Sequence, residues 1–234
     1  MKMGTVVRNI PRSSQEELME LAAAGVATAH EAMGRINLMQ PYMRPICPGS
    51  RIAGNAITVL AHPGDNWMIH VAVELCRPGD VLVVAVSAEN RDGMFGDLLA
   101  TSLKAHGLSG LVIDAGVRDV DDLRQMEFPV WSRCISAKGT IKATLGMVNT
   151  PVVCAGASVR GGDVILADDD GVVVVPHGDV HTTLIGCRQR LDKESKKRER
   201  LASGELGLDI ENMRPSLAQL GLQYYETIDE VGRS

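Results

Sequence analysis

Two short stretches hold residue types that can do chemistry together. Gly96-Asp97-Leu98-Leu99-Ala100 opens a segment of helical spacing, and Asp114-Ala115-Gly116-Val117-Arg118-Asp119 closes a buried apolar run. At the first, the opening amides of a helix have no intrahelical acceptor, so those of Leu98 and Leu99 can bind a carboxylate, with Asp97 as the cap. At the second, Arg118 offers a planar fork for a carboxylate or enolate, and Asp119 a hard oxygen ligand for a cation. Together the two turns suggest a metal-assisted anion site. Each residue also has a purely structural reading, in which Asp97 and Asp119 cap their helices and Arg118 lies on the surface.

The elements around these turns alternate. Ser14 and Glu17 have capping-box spacing and predict a first helix running to Gly34. Pro41, Pro45, Pro48 and Gly49 then require an irregular connection. Residues 51–61 are β-like, 62–66 a turn, 67–75 a helix, and 81–86 a buried strand. A glycine-rich turn over 89–96 leads into the helix from Asp97 to Gly107, the strand 111–113, the helix 120–126 and a strand around Val130 and Trp131. This is an α/β pattern. After Pro151 come short β runs at 152–154, 164–167 and 172–175, with Asp168-Asp169-Asp170-Gly171 as a hairpin turn. From Asp179 a long charged helix begins, so a core of 1–178 and a C-terminal helical arm of 179–234 are expected.

The composition narrows the function. The 234 residues carry a formal charge of −5, which gives no counterion-release advantage on a phosphate backbone, so nucleic acid is not an expected partner. Seven Phe, Trp and Tyr side chains leave little for base stacking and make the core aliphatic. The five cysteines contain no C-x-x-C pair and suggest neither disulfides nor a zinc site. No apolar run approaches the length of a membrane span, so a soluble cytoplasmic protein is expected. The six histidines show no metalloprotease spacing, and His177 and His181 fall at a helix start.

The chain resembles the RraA-like family, in particular its class II pyruvate aldolases. The likeness rests on Pro63-Gly64-Asp65-Asn66, Gly96 to Ala100, Gly110 to Asp119 and the block Gly162 to Pro176. It implies an αββα sandwich that forms homo-trimers or homo-hexamers, with sites at subunit boundaries and Mg²⁺ or Mn²⁺ as cofactor. By the same resemblance, Arg118 binds the carboxylate and enolate oxygen of pyruvate, and the Leu98 and Leu99 amides hold the carboxylate. Asp119 is then the direct metal ligand, Asp97 lies beside a metal-bound water, and Asn66 is a further substrate contact. Glu194, from the arm of a neighbouring subunit, reaches the metal's water shell.

The implied reaction is retro-aldol cleavage of a 4-hydroxy-2-oxo acid, 4-carboxy-4-hydroxy-2-oxoadipate or 4-hydroxy-4-methyl-2-oxoglutarate, in aromatic-acid catabolism. The shared enolate makes oxaloacetate decarboxylation a secondary activity. The family also contains non-catalytic regulators of ribonuclease E, which lack the aspartate after the arginine; Asp119 favours the enzyme. A dedicated oxaloacetate decarboxylase is a further alternative. A Schiff-base aldolase would need a lysine in an apolar pocket, for which Lys104, Lys138 and Lys142 are the nearest choices. For distal carboxylates, the loop cations Arg35, Arg44 and Arg133 are available.

Overall fold

The structure, a computed structural model, describes residues 2–231. Its strands are β1 (Thr5–Val6), β2 (Arg44–Pro45), β3 (Ile52–Ala61), β4 (Val81–Val86), β5 (Gly93–Phe95), β6 (Gly110–Val117), β7 (Val130–Ile135), β8 (Met147–Val148), β9 (Val152–Cys154), β10 (Ala157–Val159), β11 (Val164–Asp168) and β12 (Gly171–Val175). The helices are α1 (Gln15–Ala24), α2 (Val26–Ala32), α3 (Trp67–Val73), α4 (Asp97–Ala105), α5 (Val120–Gln125), α6 (Val180–Ala202), α7 (Gly207–Ile210) and α8 (Arg214–Gln219). The described residues form two compact units, one up to residue 188 and one from residue 189 on.

The first unit is built on parallel strands in the order β3-β4-β6-β7, with β5 beside the end of β6. The hairpin β11–β12 joins through β11, which runs antiparallel to the first half of β3. A period of two in the strands separates the layers. Leu82 and Val84 of β4 point toward the residues of α3, α4 and α5, whereas Val81, Val83 and Ala85 point toward Ile165, Ala167, Val172 and Val174 of the hairpin. On the hairpin's other face, Val164, Leu166, Val173 and Val175 pack against α1, α2 and the start of α6. Helices, sheet, hairpin and helices thus stack as the expected αββα sandwich. The sandwich core is almost wholly aliphatic; Phe95 and Phe128 stack at 6.2 Å beneath the end of β5.

Local signals account for most of these elements. The capping box at Ser14 forms in both directions, with Glu17 N donating to Ser14 Oγ and Ser14 N to Glu17 Oε2. The helix it starts does not run to Gly34. It stops at Gly25, whose φ of 83° suits glycine, and Val26 begins α2 by donating its amide to Asp168 Oδ2 at 2.9 Å. The segment 89–96 is not a turn throughout, because Gly93–Phe95 pairs with the end of β6. Asp169 and Asp170 form the β11–β12 turn as expected. No helix among the described residues is long and apolar enough to cross a membrane.

The second unit holds the later part of α6 with α7 and α8. Neither α7 nor α8 buries a residue, and ion pairs such as Lys196–Asp192 and Arg200–Glu205 lace its surface.

Candidate functional site

Parallel strands end on one edge, and in α/β sheets the loops beyond those ends are where ligands bind. Here the register sets two of the loops side by side. Phe95 of β5 pairs with Val117 of β6, and Arg118 N donates to Phe95 O at 2.9 Å, so the residues that follow, Gly96-Asp97 and Arg118-Asp119, are neighbours. The contact is close: a Cβ on Gly96 would lie 2.2 Å from Asp119 Oδ2 and 3.1 Å from Arg118 Cγ. Only glycine leaves space for the aspartate.

Asp97 is not the cap of α4. Gly96 holds that position in extended backbone, and Asp97 is the first helical residue. The Asp97 amide, one of the helix's first donors, has an acceptor in Asp119 Oδ2 at 3.3 Å. The helix has no side-chain cap of its own, so the amides of Leu98 and Leu99 keep no acceptor at its N-terminus. Asp119 stands at the N-cap position of α5 but makes no side-chain cap there. Its backbone is left-handed, with φ 54° and ψ 43°, a conformation that costs a non-glycine residue energy and tends to occur at functional positions. Arg118 Nε sits 3.3 Å from the same Oδ2. Asp119 Oδ1 has no hydrogen bond among the described residues, and the side chain is 32% exposed.

Asp97, Leu98, Leu99 and Arg118 line a cleft of about 90 Å³ together with Asn66, His70, Gly93 to Gly96 and Lys142. Arg118 also borders a shallower depression, which includes Asp119, Asp121, Arg124 and Ile135. Asn66 is 8% exposed and donates through Nδ2 to Met94 O at 3.0 Å. Its Oδ1 is buried without a partner, an acceptor left for a ligand's donor. The 62–66 turn that presents Asn66 is tied down by Asp65. Burial alone would raise the pKa of this carboxyl, but the amides of Trp67, Ala143 and Thr144 outweigh it and hold the carboxyl below its ordinary range. Burial, and after it the charge of Lys142, lowers the pKa of His70.

Five of the predicted site residues, Asn66, Asp97, Leu98, Leu99 and Arg118, line this cleft, and Asp119 adjoins it through Arg118 and the Asp97 amide. Glu194 lies on α6 in the second unit, paired with Arg190 at 2.8 Å. The donor set suits a divalent ion that keeps most of its water. No group of three His, Cys, Asp or Glu side chains among the described residues forms a cage, whereas Asp119 Oδ1 is open and Asp97 is close by. Mg²⁺ is commonly bound through one or two carboxylates plus waters and substrate.

The loop arginines do other work. Arg35 pairs with Glu31, and Arg44 donates to the carbonyls of Met43 and Asp170. Arg133 donates to Asp114 Oδ1 and to Tyr42 Oη, and the neighbouring Asp114, after burial itself, pushes the tyrosine pKa up to about 12. Of the lysines, Lys104 donates to Met126 O and Lys138 pairs with Asp92, while Lys142 lines the cleft from an exposed strap. His70, Lys142 and Gly96 are the site residues that sequence reasoning passed over or placed in other roles; for Gly96 the signal was a glycine immediately before an acidic helix start.

Comparison with known proteins assigns the chain to a family. The family model RraA-like, described as Aldolase/RraA, matches residues 24–174. A Burkholderia multivorans protein named "Putative 4-hydroxy-4-methyl-2-oxoglutarate aldolase" is 33% identical over 67% of this chain and 96% of its own length. A Halalkalibacterium halodurans protein of the same name is 28% identical, over 72% of this chain and 80% of its own. Among solved structures, Streptomyces coelicolor RraAS2, described as an unusual member of the RNase ES inhibitor RraA protein family, superposes with a TM-score of 0.74 at 26% identity, over 81% of this chain and 99% of its own. The matched segment contains Asn66, the Gly96–Leu99 turn and the Arg118–Asp119 pair, and on that match the chain belongs to the RraA-like family.

Proposed function

We propose that the chain is a class II pyruvate aldolase, a carbon–carbon lyase that cleaves 4-hydroxy-2-oxo acids with the help of Mg²⁺ or Mn²⁺. The observation that carries this reading is the juxtaposition of Arg118 and Asp119 with the unfilled N-terminal amides of α4 at one small cleft. Relatives named as aldolases support it. The substrates are 4-carboxy-4-hydroxy-2-oxoadipate and 4-hydroxy-4-methyl-2-oxoglutarate, giving pyruvate plus oxaloacetate or a second pyruvate in the cytoplasmic breakdown of aromatic acids.

The Leu98 and Leu99 amides bind the C1 carboxylate, as helix N-termini bind anions. Asp97 takes up the proton of the C4 hydroxyl through a water, whose other hydrogen the buried Asn66 Oδ1 accepts. As the C3–C4 bond breaks, its electron pair moves toward C2 and negative charge builds on the C2 oxygen. Arg118 donates a charge-assisted hydrogen bond to that oxygen, strongest where the charge is greatest. Asp97 then returns a proton for C3. Asp119, with Asp97 nearby, would hold the divalent ion, which when bound supplies Lewis-acid polarisation of the 2-oxo group. Glu194 of a neighbouring copy, in a trimer or hexamer, would complete the water shell.

Loss of CO₂ from oxaloacetate leaves the same pyruvate enolate, so slow oxaloacetate decarboxylation is part of the proposal. The test is product analysis: pyruvate released from either 4-hydroxy-2-oxo acid by the purified chain, in step with substrate loss. A folded protein that releases none from either acid would move the assignment to the regulator branch, which the likeness to RraAS2 represents.

A further inference from the structure

Between two regular stretches of its ladder with β7, strand β6 holds one extra residue. Ile113 pairs with Ser132 and Gly116 with Cys134, so Asp114 and Ala115 together face Arg133. On the other side, Gly93 and Phe95 of β5, which are not adjacent, pair with the adjacent Gly116 and Val117. Such bulges interrupt the pairing and re-aim the chain, and they are frequent beside active sites. The residues that leave this one, directly after Val117, are Arg118 and Asp119.

A side chain holds the interrupted stretch. Asp114 Oδ1 accepts from Arg133 Nε at 2.9 Å and from Tyr42 Oη at 3.0 Å, and its Oδ2 accepts from Ala155 N at 2.9 Å. Arg133 Nη2 closes the triangle by donating to Tyr42 Oη at 2.7 Å, with the guanidinium carbon 4.3 Å from the centre of the tyrosine ring. The carboxylate thus ties β6 to β7, to the loop before β2 and to the turn after β9. Both charges of the pair are largely shielded, with side chains 13% and 18% exposed, where charge-assisted bonds are strong. Tyr42 keeps its proton and stays a donor, because burial and then the charge of Asp114 push its pKa up to about 12.

Tyr42, Asp114 and Arg133 line neither the cleft nor the depression beside it, so their effect must travel through the backbone. The path from Asp114 to Arg118 has little slack. Gly116 is packed so closely that a Cβ there would lie 2.6 Å from Arg91 O and 2.8 Å from Asp92 O. Val117 O accepts from Ser136 N at 2.9 Å, and Arg118 N donates to Phe95 O at 2.9 Å. A displacement at Asp114 is therefore passed on to the end of the strand. We propose that Asp114 is a positioning residue: clamped by Arg133 and Tyr42, it fixes the bulge of β6 and through it the places of the Arg118 guanidinium and the Asp119 carboxylate. This rests on the reading of Arg118 and Asp119 as the substrate-binding and metal-binding pair.

The experiment compares Asp114→Asn with Asp80→Asn in the full chain. Asp80, 1% exposed, accepts from Arg12 Nε at 3.0 Å and Nη2 at 2.8 Å just before β4, at the opposite end of the parallel strands. Each variant leaves a shielded arginine without its counter-charge and lowers Tm. Only Asp114→Asn should disturb the site, weakening Mn²⁺ binding, read by electron paramagnetic resonance of the free ion, by about tenfold. Its kcat for 4-hydroxy-4-methyl-2-oxoglutarate should fall by about tenfold or more, with KM changed less, since the amides that hold the carboxylate belong to α4. Asp80→Asn should keep both values near those of the wild type. Tyr42→Phe and Arg133→Lys should give smaller changes in the same direction as Asp114→Asn. An Asp114→Asn protein that folds and matches Asp80→Asn in Mn²⁺ affinity and kcat would overturn the proposal. If it does not fold, wild-type values in both Tyr42→Phe and Arg133→Lys would overturn it. If the wild type neither binds Mn²⁺ nor cleaves the substrate, the proposal falls together with the reading of the pair. If Mn²⁺ affinity separates the two aspartates but no 4-hydroxy-2-oxo acid is cleaved, the aldolase reading fails and the role of Asp114 stands.

Discussion

Gly96→Ala tests the site with one methyl group. The backbone there is extended, at φ −158° and ψ −165°, which alanine adopts freely, so the effect is steric. The new Cβ would come 2.2 Å from Asp119 Oδ2, and real Cβ contacts below 3.0 Å essentially do not occur. The carboxylate must retreat by about 1 Å, taking with it the acceptor of the Asp97 amide and the partner of Arg118, and a displacement of that size costs on the order of 100-fold in rate. Overpacking costs about 1–3 kcal/mol, which in a chain of this size lowers Tm by roughly 2–12 °C. The assay is pyruvate release from 4-hydroxy-4-methyl-2-oxoglutarate at saturating Mg²⁺, with Tm followed by circular dichroism. Gly178→Ala, with nothing within 4 Å of the new methyl, serves as the control and should match wild type. A Gly96→Ala protein with kcat within about threefold of wild type would refute the claim that this contact sets the geometry of the reaction.

Arg118→Lys keeps the charge but loses the planar fork, and kcat should fall by about 100-fold or more while the fold persists; wild-type kinetics would make the arginine structural. Asn66→Leu removes the orphaned acceptor, so kcat/KM for a 4-hydroxy-2-oxo acid should drop by about tenfold or more, with a smaller effect on pyruvate binding; equal losses would mean that Asn66 only shapes the cleft. Asp65 has a pKa lowered on folding, so its stabilising contribution is complete above the unfolded value near 3.8 and is lost as pH falls through the folded value. Tm measured from pH 7 down to pH 3 should therefore decline more steeply for wild type than for Asp65→Asn, which starts lower; parallel curves would remove Asp65 from the acid response.

Features written in neighbouring residues were legible before folding. The Ser14–Glu17 box, the hairpin turn at Asp169 and Asp170, the period-two strands and the Arg118–Asp119 pair beyond a buried strand all follow from short-range spacing. The departures have longer-range causes. Helical periodicity continues through Gly25, and what stops α1 is the positive φ of that glycine together with Asp168, 142 positions from the Val26 amide it accepts from. Asp97 has capping chemistry, but Gly96 takes the cap position in extended backbone, and the Asp97 amide is bound by Asp119 from a different loop. Arg133 looked available because its partners, Asp114 and Tyr42, are brought to it only by the sheet. Lys142 gave no local sign of its place, which depends on Asp65 gripping the strap 78 and 79 residues further on.

The most direct test of the central claim is a Mg²⁺ titration of pyruvate release by metal-stripped wild-type protein and by Asp119→Ala. Asp119 should be the link between the ion and the reaction, so EDTA should stop the wild type, Mg²⁺ or Mn²⁺ should restore it, and the variant should stay inactive at any metal concentration while keeping its fold. Release that persists in EDTA, or a variant that responds to metal as the wild type does, would contradict the account.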